Sequence, residues 1–204
     1  MNRMFLGLFL LVALYTHCYS FNNSTFNSDS IRPQVSYQPM QYKIGFGTGW
    51  ETAYATGIEL SFLFHELVDF NFGFGLGISG AKYGFGSRFY PIRNKKFSPM
   101  IGLFFYQSTG MKSLNVSVNE KQGKFKIYPD KCILVNTGYR FRFGKGHYVI
   151  GSIGYSTPFE GKRAQYLSGS TSSSVQSFAN AVAPGGLSVQ IGFLLKLSDG
   201  KFKN

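Results

Sequence analysis

The chain has 204 residues, of which 15% are charged and 18% aromatic, with 25 Gly, 22 Phe and 13 Tyr. A soluble domain carries about 25% charged residues, so this composition argues against an ordinary cytosolic fold, and a mean hydropathy near zero excludes a bundle of membrane helices. The formal net charge of +12 invites a nucleic-acid partner, but the export signal read next removes it and leaves lipid phosphates, lipopolysaccharide or anionic solutes.

Residues 1–20 read as a signal peptide. Asn2 and Arg3 give a positive start, and Met4–Tyr15 is an apolar run of h-region length, too short to span a bilayer as a helix. Cys18 and Ser20 stand at −3 and −1 of a cut before Phe21. Lipid modification of Cys18 is the alternative, which Tyr15, Thr16 and His17 fit poorly. Cleavage leaves Cys132, which cannot form an internal disulfide, and the spacing of His and Cys offers no metal site. Residues 21–40, Asn- and Ser-rich with Pro33 and Pro39, form an irregular lead-in.

From Gln41 a period of two begins. In 42–50, Tyr42, Ile44, Phe46, Thr48 and Trp50 alternate with Lys43, Gly45, Gly47 and Gly49. In 54–65, Tyr54, Thr56, Ile58, Leu60, Phe62 and Phe64 oppose Ala55, Gly57, Glu59, Ser61, Leu63 and His65. In 68–79, Val68, Phe70, Phe72, Phe74, Leu76 and Ile78 oppose Asp69, Asn71, Gly73, Gly75, Gly77 and Ser79. In 81–90, Ala81, Tyr83, Phe85 and Phe89 oppose Lys82, Gly84, Gly86 and Arg88. The division is less clean in 99–108, where Ile101, Leu103 and Phe105 oppose Gly102, Phe104, Tyr106 and Ser108. In 132–143, Ile133, Val135, Tyr139, Phe141 and Phe143 oppose Asn136, Gly138, Arg140 and Arg142. Segment 147–157 is ambiguous, with Val149, Ile153 and Tyr155 as its large set, and in 187–197 Leu187, Val189, Ile191, Phe193, Leu195 and Leu197 oppose Ser188, Gln190, Gly192 and Lys196. These eight segments are near the roughly 9–11 residues a tilted membrane strand needs.

Short links at 65–67, 93–97 and 144–146 and long links at 109–131 and 158–184 suit periplasmic turns and external loops, with both chain ends inside; the link near Gly80 is external and short. Within 109–131, Leu114, Val116, Val118, Phe125 and Ile127 predict a hairpin turned near Glu120–Gly123, and within 158–184 a short helix is expected around Val175–Val182. An eight-stranded lumen is only just wide enough for side chains, so rings of Phe cannot all point inward. The apolar set therefore faces lipid and the Gly-rich, charged set faces the lumen. A β-sandwich is the competing reading of alternation alone. The predicted fold is an all-β, closed, antiparallel up-and-down transmembrane barrel over 41–197, followed by a polar tail at 198–204.

Phe89-Tyr90-Pro91, Phe97-Ser98-Pro99-Met100-Ile101-Gly102 and the closing strand Leu187–Leu197 resemble the small outer-membrane barrels of Gram-negative bacteria, OmpA-like and opacity-type, porin-like. The resemblance spans Gln41–Leu197 and implies an outer-membrane location; the chain departs from it by ending on Leu197 and a polar tail where that family ends on an aromatic residue.

Gly75-Leu76-Gly77-Ile78-Ser79-Gly80 matches a dinucleotide pattern, but that motif needs a following helix, and Lys82–Tyr90 is strand-like. No His-Ser-acid grouping accompanies His17, His65 and His147. No enzyme and no cofactor are expected. The candidate functional set is a charged lumen network of Lys43, Glu59, Asp69, Lys82, Arg88, Arg140, Arg142 and Lys196. Its two readings are a salt-bridged plug, favoured because unpaired buried charge is costly, and a narrow anion-leaning pathway. Lys112, Lys121, Lys124, Lys126 and Lys131 of the long loop are candidates for contact with lipopolysaccharide phosphates, against a plain solvated loop. The expected role is structural or surface-interacting, with a small-solute channel as the runner-up.

Overall fold

Glycines among the inward positions of several strands, such as Gly73 and Gly75, leave room in a narrow interior for the large inward side chains of others, while the bulky apolar set splays outward. The computed structural model describes residues 40–65, 67–92, 96–118, 121–161, 164–169 and 172–199. The expected signal peptide, most of the lead-in and the end of the polar tail lie outside the described residues.

Eleven strands and one helix follow: β1 (Gln41–Trp50), β2 (Thr56–His65), β3 (Val68–Gly77), β4 (Gly80–Phe89), β5 (Phe97–Ser108), β6 (Met111–Val118), β7 (Lys121–Ile127), β8 (Asp130–Phe143), β9 (His147–Pro158), β10 (Ala164–Gly169), α1 (Ser173–Val182) and β11 (Gly186–Asp199). Eight of them close a barrel in the order β1-β11-β9-β8-β5-β4-β3-β2, every pair antiparallel. The closing pair is β1 with β11, with Phe46 opposite Phe193 and Trp50 opposite Val189. A closed ladder leaves no free edge in the wall, which is the condition a sheet must meet to sit in hydrocarbon.

The wall is inside out relative to a soluble barrel. Phe72 is 55% exposed and Leu76 64%, while Asp69, on the other face of the same strand, is fully buried. Outward rings meet across strands: Phe85 stacks on Phe105 at 5.6 Å and Phe97 on Tyr139 at 4.6 Å between centroids. The inward and outward faces follow the sequence alternation in all eight barrel strands, including β9, where Ile153 and Tyr155 are exposed and Ile150 and Ser152 are buried.

At the end of the barrel away from its first and last strand residues, the long connections build a second layer. β6 and β7 form the expected hairpin, and β10, which the sequence did not announce, adds to it in the order β10-β7-β6. Helix α1 covers one face of this small sheet, burying Val175 and Ala179 against Val116 and Phe125. The glycine motif at 75–80 is the tight connection between β3 and β4, with strand on both sides, so no helix follows it.

Candidate functional site

Inward side chains lie at three levels of the lumen. At the loop end, the connection between β1 and β2 does not project outward. The sequence reading starts the second strand at residue 54 with Tyr54 on its apolar, outward face; this is corrected. The strand begins at Thr56, and residues 51–55 turn into the barrel mouth, leaving Glu51, Thr52, Ala53, Tyr54 and Ala55 all buried. The turn requires left-handed backbone at two non-glycine residues, Glu51 (φ 47°) and Ala55 (φ 48°), a conformation that costs energy and persists only where surroundings hold it. What holds it is on the inside: Glu51 Oε2 accepts from Lys82 Nζ and from the backbone N–H of Gly185, each at 3.1 Å. Tyr106 Oη lies 3.4 Å from the same oxygen and 2.7 Å from Ser156 Oγ. Thr52 Oγ1 donates to the carbonyl of Ala55 at 3.1 Å.

Tyr54 hangs from this turn into the middle level. Its hydroxyl donates to Asn71 Oδ1 at 2.6 Å, and its ring meets Phe104 edge-on at 6.1 Å. The ring lies flat against the wall because two positions there have no side chain: a Cβ on Gly73 would sit 2.6 Å from the ring, and one on Gly75 would sit 1.8 Å from the Tyr54 carbonyl oxygen. Replacing Gly73 by Ser is therefore expected to lower the unfolding midpoint measurably, because the ring must move.

Beside Tyr54 sits a buried ion cluster. Arg88 grips Glu59 with both terminal nitrogens, Nη1 to Oε1 at 2.8 Å and Nη2 to Oε2 at 2.6 Å. Its Nη1 also lies 3.8 Å from Asp69 Oδ2. Tyr90, just past the end of β4, donates to Asp69 Oδ2 at 2.7 Å, and Asn71 Nδ2 donates to Oδ1 at 3.4 Å. A planar guanidinium suits this double grip on one carboxylate.

The third level, at the terminus end, holds Lys43 and Arg140. They meet aromatic rings rather than carboxylates. Lys43 Nζ stands 4.3 Å from the centre of the Tyr148 ring, and the Arg140 guanidinium 4.6 Å from that ring and 3.6 Å from that of Tyr90. The two rings belong to a buried cluster with Leu63, Met100, Ile150 and Leu194.

The eight expected lumen charges thus divide. Glu59, Asp69 and Arg88 come together, and Lys82 pairs with Glu51. Glu51 escaped the sequence reading because it lies outside the alternating segments. Lys43 and Arg140 are buried without a salt bridge among the described residues. Arg142 and Lys196 are partly exposed near the terminus end, where the Lys196 N–H donates to His147 Nδ1 at 3.2 Å. Of the loop lysines, Lys124 and Lys126 point from β7 away from α1, on a face shared with Asn115 and Gln165. Lys112 and Lys121 are exposed on the same small sheet, and Lys131 is exposed on the outer face of the barrel rim, opposite Gln107.

No family model and no curated protein matches the chain. Among solved structures, it is similar to the crystal structure of the N-terminal β-barrel domain of Pseudomonas aeruginosa OprF, at 9% identity over 78% of this chain and 98% of that one, with a TM-score of 0.44. It is likewise similar to the crystal structure of Acinetobacter baumannii CarO, at 11% identity over 78% of this chain and 98% of that one, with a TM-score of 0.42.

Proposed function

We propose that this chain is an integral outer-membrane β-barrel with a structural or surface-interaction role and a plugged lumen. The observation that carries the plugged reading is the packing of Tyr54, Phe104 and the Arg88–Glu59–Asp69 cluster across the middle of the interior. The exposed belt that includes Phe72, Phe85 and Phe193 supports contact with lipid, since an apolar surface of this extent is unfavourable in water and is what an outer-membrane wall requires. The loop-end sheet supplies the interaction surface of this reading. Lys124 and Lys126, flanked by Asn115 and Gln165, offer cations and hydrogen bonds to lipopolysaccharide phosphates, and Lys131 stands at the rim, within reach of headgroups. The reading assigns the chain no reaction, no cofactor and no nucleic-acid partner.

The runner-up is a narrow anion-leaning small-solute channel, favoured by one observation: Lys43 and Arg140 face the lumen without carboxylate partners among the described residues. Planar-bilayer conductance separates the two. The plugged barrel gives no current above baseline; steady, anion-selective steps of defined size overturn it in favour of the channel.

The orientation is tested separately. With the loop-end sheet outside, a cysteine at Ser117 reacts with an impermeant thiol reagent on intact cells and one at Lys145 does not. The native Cys132, buried in the barrel, stays silent. The opposite labelling inverts the barrel.

A further inference from the structure

At the terminus-end level of the lumen, donors outnumber acceptors. Among the described residues, Lys43 Nζ, Arg140 Nη1 and Ser61 Oγ are buried without a hydrogen-bond partner, against one unpartnered acceptor there, Gln41 Oε1, which is neutral and cannot balance two cations. The first three can all donate, and their residues are between 1% and 6% exposed. They converge on one region. Ser61 is the cross-strand neighbour of Lys43 on β2, and Lys43 and Arg140 each lie within 5 Å of the same Tyr148 ring. Lys196, the neighbour of Lys43 on the closing strand, brings a further positive charge to that edge.

Among the described residues, the buried carboxylates are committed elsewhere. Glu51 is held by Lys82 and the Gly185 amide at the opposite mouth. Glu59 is fully gripped by Arg88. Asp130 takes the backbone amides of Glu160 and Gly161 at 3.1 Å each. Asp69 already accepts from Tyr90 and Asn71 and faces Arg88. Burying two cations without a counter-charge is strongly unfavourable, and a fixed ring quadrupole offsets only part of that cost.

We propose that the terminus end of the lumen binds a small monovalent anion of halide size, held by Lys43 Nζ, Arg140 Nη1 and Ser61 Oγ. The size follows from the burial: the three residues are between 1% and 6% exposed and one ring, Tyr148, lies within 5 Å of both cations, which suits a small anion and not a bulky organic acid. The site needs no open pathway, so it stands whether or not the lumen conducts, and the conductance test above bears on it separately.

The experiment uses the chain extracted from membranes in detergent, with its unfolding midpoint followed by heat-modifiable gel migration. Potassium chloride and potassium bromide are compared with potassium gluconate at equal ionic strength. Gluconate carries the same charge but is too large for the site. The halides should raise the midpoint, saturably, by roughly 5 °C near a concentration of about 100 dissociation constants. Lys43→Met should abolish the difference between salts, and Lys43→Arg, which keeps a buried cation, should retain it. If Lys43→Met does not fold, crystals of the unaltered protein grown in bromide decide the matter, with an anomalous peak expected beside Lys43 Nζ. Equal midpoints in halide and gluconate, a salt effect untouched by Lys43→Met, or water alone in place of the bromide peak overturns the proposal.

Discussion

Replacing Arg88 by Met is expected to lower the unfolding midpoint of the barrel more than any other single change in the lumen. Arg88 is 1% exposed and faces two carboxylates, Glu59 and Asp69. A methionine fills much of the volume but leaves both acids in the interior without their cation. Removing one member of a buried ion pair costs about 3–5 kcal/mol, most of it the desolvation of the partner left behind. Glu59→Gln should cost less than Arg88→Met, because the guanidinium keeps Asp69 and the new amide still accepts from it. The triple change Glu59→Gln, Asp69→Asn, Arg88→Met should recover most of the loss, since no charge is then stranded. Equal midpoints for Arg88→Met and the unaltered chain, read by heat-modifiable migration, would mean that the cluster is solvated rather than buried.

Phe72→Arg is expected to impair assembly on the outer face as severely. Phe72 lies midway along β3, 55% exposed, with its ring 6.1 Å from that of Phe62 and 6.4 Å from that of Phe85. In the proposed membrane this places a guanidinium near the middle of the hydrocarbon, where a barrel loses roughly 2–4 kcal/mol. Phe72→Leu at the same position should assemble almost normally, because it keeps an apolar surface toward lipid. The readout is the fraction of folded, heat-modifiable protein recovered from membranes; similar yields for Arg and Leu would remove Phe72 from the lipid face.

How much of this was legible in the sequence depends on which coordinate is asked for. The side of the wall a residue faces follows from parity, because period two is built into the strand, and the narrow interior decides which set points inward. Thus Glu59, Asp69, Lys82, Arg88 and Arg140 all lie inside as read. The level at which a residue sits follows from strand register, which parity does not encode. That is why one network was expected where the charges separate into an ion cluster, a pair at the mouth and two cations stacked on Tyr148 and Tyr90. With 9 acidic against 21 basic residues, rings take the place of the missing carboxylates. The turn at 51–55 was illegible for another reason. Tyr54 happens to continue the parity of β2 backward, and left-handed backbone at Glu51 and Ala55 has no glycine or asparagine to announce it. β10 is equally silent, since its pairing partner, β7, is a distant hairpin strand.

The central claim is that one face of the wall meets lipid and the other a filled interior. Quenching of a single tryptophan by lipids brominated in their acyl chains tests it most directly. Trp50 is the one native tryptophan, so a Trp50→Phe background isolates a reporter placed anywhere else. Phe72→Trp and Phe193→Trp, on the outward faces of β3 and β11, should be strongly quenched. Phe104→Trp and Tyr106→Trp, on the inward face of β5, should be quenched little or not at all. Equal quenching at all four positions, or quenching of the inner pair alone, would contradict the account.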